Sequence, residues 1–208
     1  MGLKIGSMCI GYVQTNCYFI YDEEKKEALV FDPATDGKGI YNALLKHDIT
    51  VKAIFLTHGH FDHILGANEL REASGSKIYA SELEEDVLLS TKLNVSEQTG
   101  RPCTVKADVL LRDNEEVEVC GIKVKMISTP GHTHGSCCYY FEDAGILISG
   151  DTLFAGSCGR TDLPTGSGGM IDRSIKEKLM KLPDEVKVYP GHGEESTIGH
   201  ERKYNPFC

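Results

Sequence analysis

Short runs of β-branched and aromatic residues divide the first third of the chain into alternating segments. Cys17 to Tyr21 and Ala28 to Phe31 are two such runs, and the charged turn from Asp22 to Glu27 between them predicts a hairpin. Asp32-Pro33 ends the second strand. From Gly39 to His47 the apolar residues at 40, 44 and 45 follow helical spacing, whereas Val51 to Leu56 is a continuous apolar run suited to a buried strand. The expected unit is strand, helix, strand. Polar residues Thr57 to Asp62 follow, and Ile64 to Glu72 again has helical character. The most histidine-rich stretch therefore falls on a strand-to-helix loop, where α/β folds tend to place chemistry.

The second half repeats this logic. Ile78-Tyr79 predicts a short strand, and Ser81 with Glu84 predicts a capping box opening a helix through Leu89. Thr91 to Ala107 is polar and reads as the longest loop. Val117 to Val119 and Ile122 to Ile127 form a predicted hairpin around Gly121, with further strands at 136 to 141 and 145 to 149. A helix from about Asp172 to Lys181 precedes the last strand, Val186 to Tyr189. Strands arrive in hairpins in both halves, which suggests two sheets faced by helices.

Composition narrows the classes. The 208 residues are 40% hydrophobic and 25% charged, and no run of apolar residues is long enough to span a bilayer. One domain over residues 1–208 is expected, since no linker or low-complexity tract interrupts it. A formal net charge of −9 with no basic stripe argues against nucleic acid or an anionic membrane as partner. Neither a secretory h-region nor a lipidation box is evident at the ends, so the cytoplasm is the expected compartment. The eight cysteines contain no C-x-x-C pair and are expected to be free thiols.

Chemistry concentrates in Thr57-His58-Gly59-His60-Phe61-Asp62-His63. In extended backbone His58 and His60 point the same way and can close on one ion, while Asp62 and His63 fall where the chain turns and can aim at a second point. Further ligands are needed, and the chain supplies them in matching contexts. Pro130-Gly131-His132 and Pro190-Gly191-His192 each place a histidine after a β run, and Gly150-Asp151 does the same for a carboxylate able to bridge two cations. Five of the eight histidines lie in these motifs, which makes metal binding the expectation for the set. His47, His134 and His200 are read as structural or solvated, although His134 stands close enough to His132 to partner it. Asp32 is read as a turn former before Pro33 rather than as support for a ligand histidine.

In this order, H-x-H-x-D-H, P-G-H-T, G-D-T-L-F and P-G-H-G resemble the metallo-β-lactamase superfamily. That resemblance covers residues 57 to 193. It implies an α/β (α+β) fold, a four-layer αββα sandwich with the site at one edge of the sheets. By the same resemblance His58, His60 and His132 would hold one metal and Asp62, His63 and His192 another. Asp151 and a water or hydroxide would lie between them. Two divalent ions are expected, zinc first, with iron or manganese as alternatives. Zinc lowers the pKa of bound water to about 7, and Asp62 and Asp151 are the candidate catalytic carboxylates. Two dications less Asp62, Asp151 and one hydroxide leave a charge near +1, which favours an anionic small-molecule substrate.

Within the superfamily the chain is most similar to glyoxalase II, the hydroxyacylglutathione hydrolases, and to their short single-domain relatives. Gly150 to Phe154, Cys158-Gly159-Arg160-Thr161-Asp162-Leu163-Pro164, and the ending through Glu201-Arg202 to Asn205-Pro206-Phe207 carry that likeness. It implies thioester hydrolysis, with Arg160 gripping the carboxylate of a thiol carrier, a solvated loop arginine being the alternative. The glutathione-binding C-terminal segment and a tyrosine close after the final histidine have no counterpart here, leaving bacillithiol, coenzyme A or another thioester open. The rival reading is a persulfide dioxygenase of the same fold, with one iron on His58, His132 and Asp151. A non-catalytic binding module, an RNA-processing enzyme and a β-lactamase are less consistent with the intact ligand set, the charge and the missing secretion signal. Oligomeric state is not legible.

Overall fold

A computed structural model describes residues 2–208. The first sheet carries six strands: β1 (Leu3–Ile10), β2 (Thr15–Asp22), β3 (Glu27–Phe31), β4 (Thr50–Phe55), β5 (Lys77–Ser81) and β6 (Val109–Leu111), in that spatial order. Pairing is antiparallel from β1 to β3 and parallel from β3 to β6. The second sheet holds β7 (Glu116–Val119), β8 (Ile122–Ser128), β9 (Cys137–Phe141) and β10 (Ile146–Gly150). A small ribbon of β11 (Leu153–Phe154) and β12 (Ser157–Cys158) follows, and β13 (Lys187–Pro190) and β14 (Ser196–Thr197) complete the second sheet. Its order is β14-β13-β10-β9-β8-β7.

Three apolar layers hold these sheets together, and strand alternation assigns each side chain to one of them. Along β3, Leu29 and Phe31 face the second sheet, where they meet Met126, Tyr139, Phe141 and Ile148. Ala28 and Val30 face the other way, onto α1 (Gly37–Leu45), α2 (Phe61–Ile64) and α3 (Ala67–Ser74) through Ile40, Leu44, Ile64 and Leu70. On the far face of the second sheet, Cys138, Tyr140, Leu147 and Val188 pack on α5 (Gly168–Arg173), the helical turns to Lys181, and α6 (Ile198–Tyr204). The result is the helix, sheet, sheet, helix sandwich expected. Cover on both faces explains why β3 and β10 read as unbroken apolar runs. At the centre, Phe31 and Phe55 stack at 5.2 Å and Tyr139 meets Phe55 edge-on at 5.1 Å. Each fully buried phenylalanine contributes about 1.5–3 kcal/mol. All eight cysteines are free, three of them in these layers, and among the described residues no helix is long and apolar enough to cross a membrane.

Several elements depart from the sequence pattern. β1 went unanticipated because its apolar stripe changes face midway: Leu3 and Ile5 turn towards the second sheet, Met8 and Ile10 towards the helices. The helix expected over Ile64 to Glu72 is broken, since the Gly66 N–H leaves the helical ladder for the Pro33 carbonyl at 2.8 Å. The capping box does not form. Ser81 Oγ accepts from Leu83 N at 3.3 Å, but Glu84 turns inwards instead of back to Ser81, ahead of α4 (Glu85–Leu88). Helix α5 continues through a widened π-turn, Ser174–Lys178. From that turn Ser174 donates to the Pro130 carbonyl at 2.7 Å, bracing the loop that presents His132.

Candidate metal centre

Four segments meet at one edge of the sandwich: the loop after β4, the loop after β8, and the ends of β10 and β13. Because β10 and β13 run parallel and adjacent, with an irregular register at Gly150, both deliver residues just beyond their ends, Asp151 and His192, to the same rim. All seven side chains singled out in the sequence gather there. Ligand atoms of His58, His60 and His132 lie within 4.8 Å of one another, as do those of Asp62, His63 and His192. Asp151 stands between the groups, its Oδ2 3.5 Å from Nε2 of both His132 and His192 and its Oδ1 3.4 Å from His63 Nε2.

Hydrogen bonds around the rim decide how each imidazole presents its lone pair. His132 Nδ1 donates to the Arg160 carbonyl at 2.7 Å, and His63 Nδ1 donates to Asp32 Oδ2 at 2.9 Å. Asp32 also accepts from Thr57 N at 2.8 Å and from Thr57 Oγ1 at 2.6 Å. With its proton given to Asp32, Thr57 Oγ1 accepts from His58 Nδ1 at 3.1 Å. These bonds turn the Nε2 atoms of His58, His63 and His132 towards the centre, the arrangement by which outer partners set a metal ligand's tautomer. Asp32 is therefore more than a turn former, correcting the reading from sequence. Its φ of 48° is what lets the chain double back with the carboxylate inside.

Electrostatics divides the centre in two. Burial, followed by the mutual repulsion of the imidazoles, holds His58 well below the usual histidine range and brings His60 down to about 3. His132 is lowered by burial in the same way. Burial opposes charge on His63 too, but Asp151, Asp62 and Asp32 push it up to about 9, and contacts with Asp151 and Asp62 carry His192 up to about 10. Against their own burial, Asp62 and Asp151 are held below the ordinary carboxylate range, mainly by His63.

The donor set fits divalent ions. His58 Nε2, His60 Nε2 and Asp151 Oδ1 are buried without a hydrogen-bond partner among the described residues, a state that costs about 1–3 kcal/mol per group unless something binds it. His60 Nδ1 and His132 Nε2 face each other at 2.8 Å. Gly191 leaves the floor open: a Cβ there would overlap Asp151 Oδ1 and lie 2.7 Å from His63 Cε1.

Other candidates fall outside this cluster. The Arg160 side chain is exposed at the rim, its guanidinium forked onto Asp162 at 2.7 Å through Nε and one terminal nitrogen. His134 pairs with Asp86 at 2.9 Å rather than with His132. Sequence reasoning missed Thr15, whose hydroxyl donates to Asp62 Oδ2 at 3.0 Å, as well as Thr57 and Glu84. Thr57 could have been found from its place directly before the motif. Glu84 is camouflaged within the acidic run Glu82 to Asp86. Beside Asp62 a cavity of about 300 Å³ opens, lined by Tyr12, Val13, Thr15, Phe61, Leu65 and Arg101 among others.

Comparison with known proteins agrees with this geometry. The profile of the Metallo-beta-lactamase superfamily matches residues 10–192. A probable metallo-hydrolase, YqgX of Bacillus subtilis (strain 168), is 37% identical over 211 residues, covering 99% of this chain and 97% of the relative. Hydroxyacylglutathione hydrolase GloC of Haemophilus influenzae is 33% identical over 200 residues, 93% of this chain and 92% of that one. Among solved structures, BLEG-1 B3 metallo-beta-lactamase superposes with a TM-score of 0.93 at 38% identity, covering 98% of this chain and 99% of the other.

Proposed function

Since the chain belongs to the Metallo-beta-lactamase superfamily, we propose that it is a metal-dependent hydrolase of an anionic thioester, of the hydroxyacylglutathione type. The observation that carries this reading is the convergence of two three-residue ligand sets on Asp151 at one rim. His58, His60 and His132 would hold one ion, Asp62, His63 and His192 the second, and Asp151 both. Zinc is the first choice, with iron or manganese as alternatives. Divalent ions in such a site lower the pKa of bound water to about 7 and polarise the carbonyl under attack.

The chain's own groups supply the rest. Asp62, steadied by Thr15, stays ionised as a ligand of its set, and Asp151 keeps the two ligand sets at one spacing. With both carboxylates committed to the centre, neither is free to protonate a leaving group. A thiolate, whose conjugate acid has a pKa near 8.5, departs without that help, which favours a thioester over an amide. Similarity to GloC supports the same class. The apolar cavity beside Asp62 suits the acyl portion, and Arg160 would exchange Asp162 for a carboxylate of the thiol carrier.

The rival persulfide dioxygenase would use one iron on His58, His132 and Asp151, leaving His60 and the gathered Asp62, His63 and His192 outside its ligand set. The likeness to BLEG-1 makes β-lactam hydrolysis a second reading to be tested beside the first. Purified protein loaded with zinc, manganese or iron should release free thiol from acyl thioesters of glutathione, bacillithiol or coenzyme A. Thiol release absent from the whole panel, with oxygen uptake on glutathione persulfide or opening of a chromogenic β-lactam instead, would replace the proposal.

A further inference from the structure

Glu84 is a carboxylic acid buried to 1% exposure, and among the described residues no Lys, Arg or His side-chain nitrogen pairs with its carboxylate within 4 Å. Its neighbours Glu82, Glu85 and Asp86 are all exposed. Burying one acid of such a run is costly unless its oxygens are put to use. Both are: Oε1 accepts from the Gly59 N–H at 2.7 Å and Oε2 from Thr133 Oγ1 at 2.8 Å.

The partners are what matter. Gly59 sits between His58 and His60, and Thr133 follows His132 directly. One carboxyl group thus ties together the two loops that supply the three-histidine set, loops that leave different sheets. Thr133 is itself fixed, its N–H donating to Ser136 Oγ at 2.9 Å and its hydroxyl 2.6 Å from the same atom. Packing reinforces the tie. A Cβ on Gly59 would meet Val87 Cγ1 at 2.8 Å, and one on Gly135 would overlap the backbone of Leu83 and Glu84. Both ligand loops are seated on the single turn from Glu82 to Leu88.

We propose that Glu84 is a positioning residue that holds His58, His60 and His132 in the spacing a metal ion requires. It touches no ligand atom and acts through the backbone of Gly59 and the hydroxyl of Thr133. The inference rests on the ligand assignment above and is independent of the thioester reading. Burial pushes the Glu84 carboxyl up to about 8, and glutamine keeps its size and both polar atoms without its charge. An amide accepts from Gly59 N–H and reverses the second tie, donating to Thr133 Oγ1 while the Thr133 hydroxyl proton turns to Ser136 Oγ.

Cobalt(II) titration of the metal-free protein, followed by visible absorption, tests this. A His192→Ala background reports the three-histidine set and a His58→Ala background the other set. Glu84→Ala should weaken cobalt binding in the first background by about 10–100-fold, as loss of outer support typically does, and leave the second unchanged. Glu84→Gln should bind as the parent does. Thr133→Val, which cuts one tie only, should weaken the first set less than Glu84→Ala, and it carries the test if Glu84→Ala does not fold. Equal weakening in both backgrounds, unaltered binding in the tie-cutting variants, or a Gln variant as damaged as the Ala variant would overturn the role. Parent protein that binds no cobalt overturns the ligand assignment itself, and this inference with it.

Discussion

The carboxylate of Asp32 receives the Nδ1–H of His63 at 2.9 Å while its other oxygen receives the Thr57 N–H at 2.8 Å. Asparagine at this position keeps an acceptor for Thr57 but turns an N–H donor towards His63. The imidazole must then flip its tautomer, moving its proton to the nitrogen that faces the centre. Asp32→Asn should therefore lower metal affinity at the Asp62, His63 and His192 set by roughly 10–100-fold with the fold retained. Calorimetric zinc titration and circular dichroism together check this, and unaltered affinity would contradict the tautomer argument.

Asp151 faces both ligand sets, so its removal should cost more than the roughly 100-fold typical of an outer partner. Asp151→Ala should lose turnover and bind fewer than two metals per chain, with secondary structure unchanged. An Asp151→Ala protein that retains full activity would remove the bridging role.

Gly191 has no left-handed φ to defend; space is its reason for being glycine. Gly191→Ala should push Asp151 and the His63 ring out of register, so metal content falls while the sheets persist. Metal analysis of the variant beside the parent measures this. Wild-type occupancy in Gly191→Ala would show that the floor yields more easily than its geometry suggests.

Glu84 sets a pH dependence of stability. Its folded pKa, about 8, lies above the ordinary glutamate value of 4.5, with burial as the chief cause and Asp86 adding to it. A raised carboxyl contributes stability that is fully present below the unfolded value and is lost as pH rises through the folded one. Metal-free wild-type protein should therefore lose melting temperature relative to Glu84→Gln between about pH 5 and pH 8. Parallel melting curves for the two proteins across that range would refute the account.

Metal should stabilise the fold by mass action. Zinc at 100 times its dissociation constant contributes about 2.7 kcal/mol, which for a chain of this length raises the melting temperature by about 5–10 °C. A chelator should reverse both the shift and the activity, and added metal should restore them. A melting temperature indifferent to chelator would argue against the centre.

The candidate ligands were legible because their chemistry is rare and local: four side chains able to bind metal crowd six residues, and each remaining one follows a β run. Two sheets faced by helices were legible through hairpins in both halves and the unbroken apolar runs of β3 and β10, and the order of the motifs supplied the sandwich by resemblance. What escaped has a common physical cause, which is that the sequence shows residue types but not which way they turn. β1 splits its apolar residues between two faces and shows no single stripe. Glu84 sits in an acidic run where a solvated residue is the sound default, and only the fold reveals that one member points inwards. Asp32 before Pro33 carried a sufficient local explanation, which hid its reach to Thr57 and His63.

Each three-residue ligand set draws two members from the stretch running from β4 into α2 and one from just beyond a strand of the second sheet, where Asp151 also lies. An ion at this rim is therefore a rivet through two plates. Cut between β6 and β7, the chain would yield two pieces, each carrying an incomplete set for either ion. Tight metal uptake would then appear only when the pieces dock, and the colour of bound cobalt would serve as a direct gauge of their reunion.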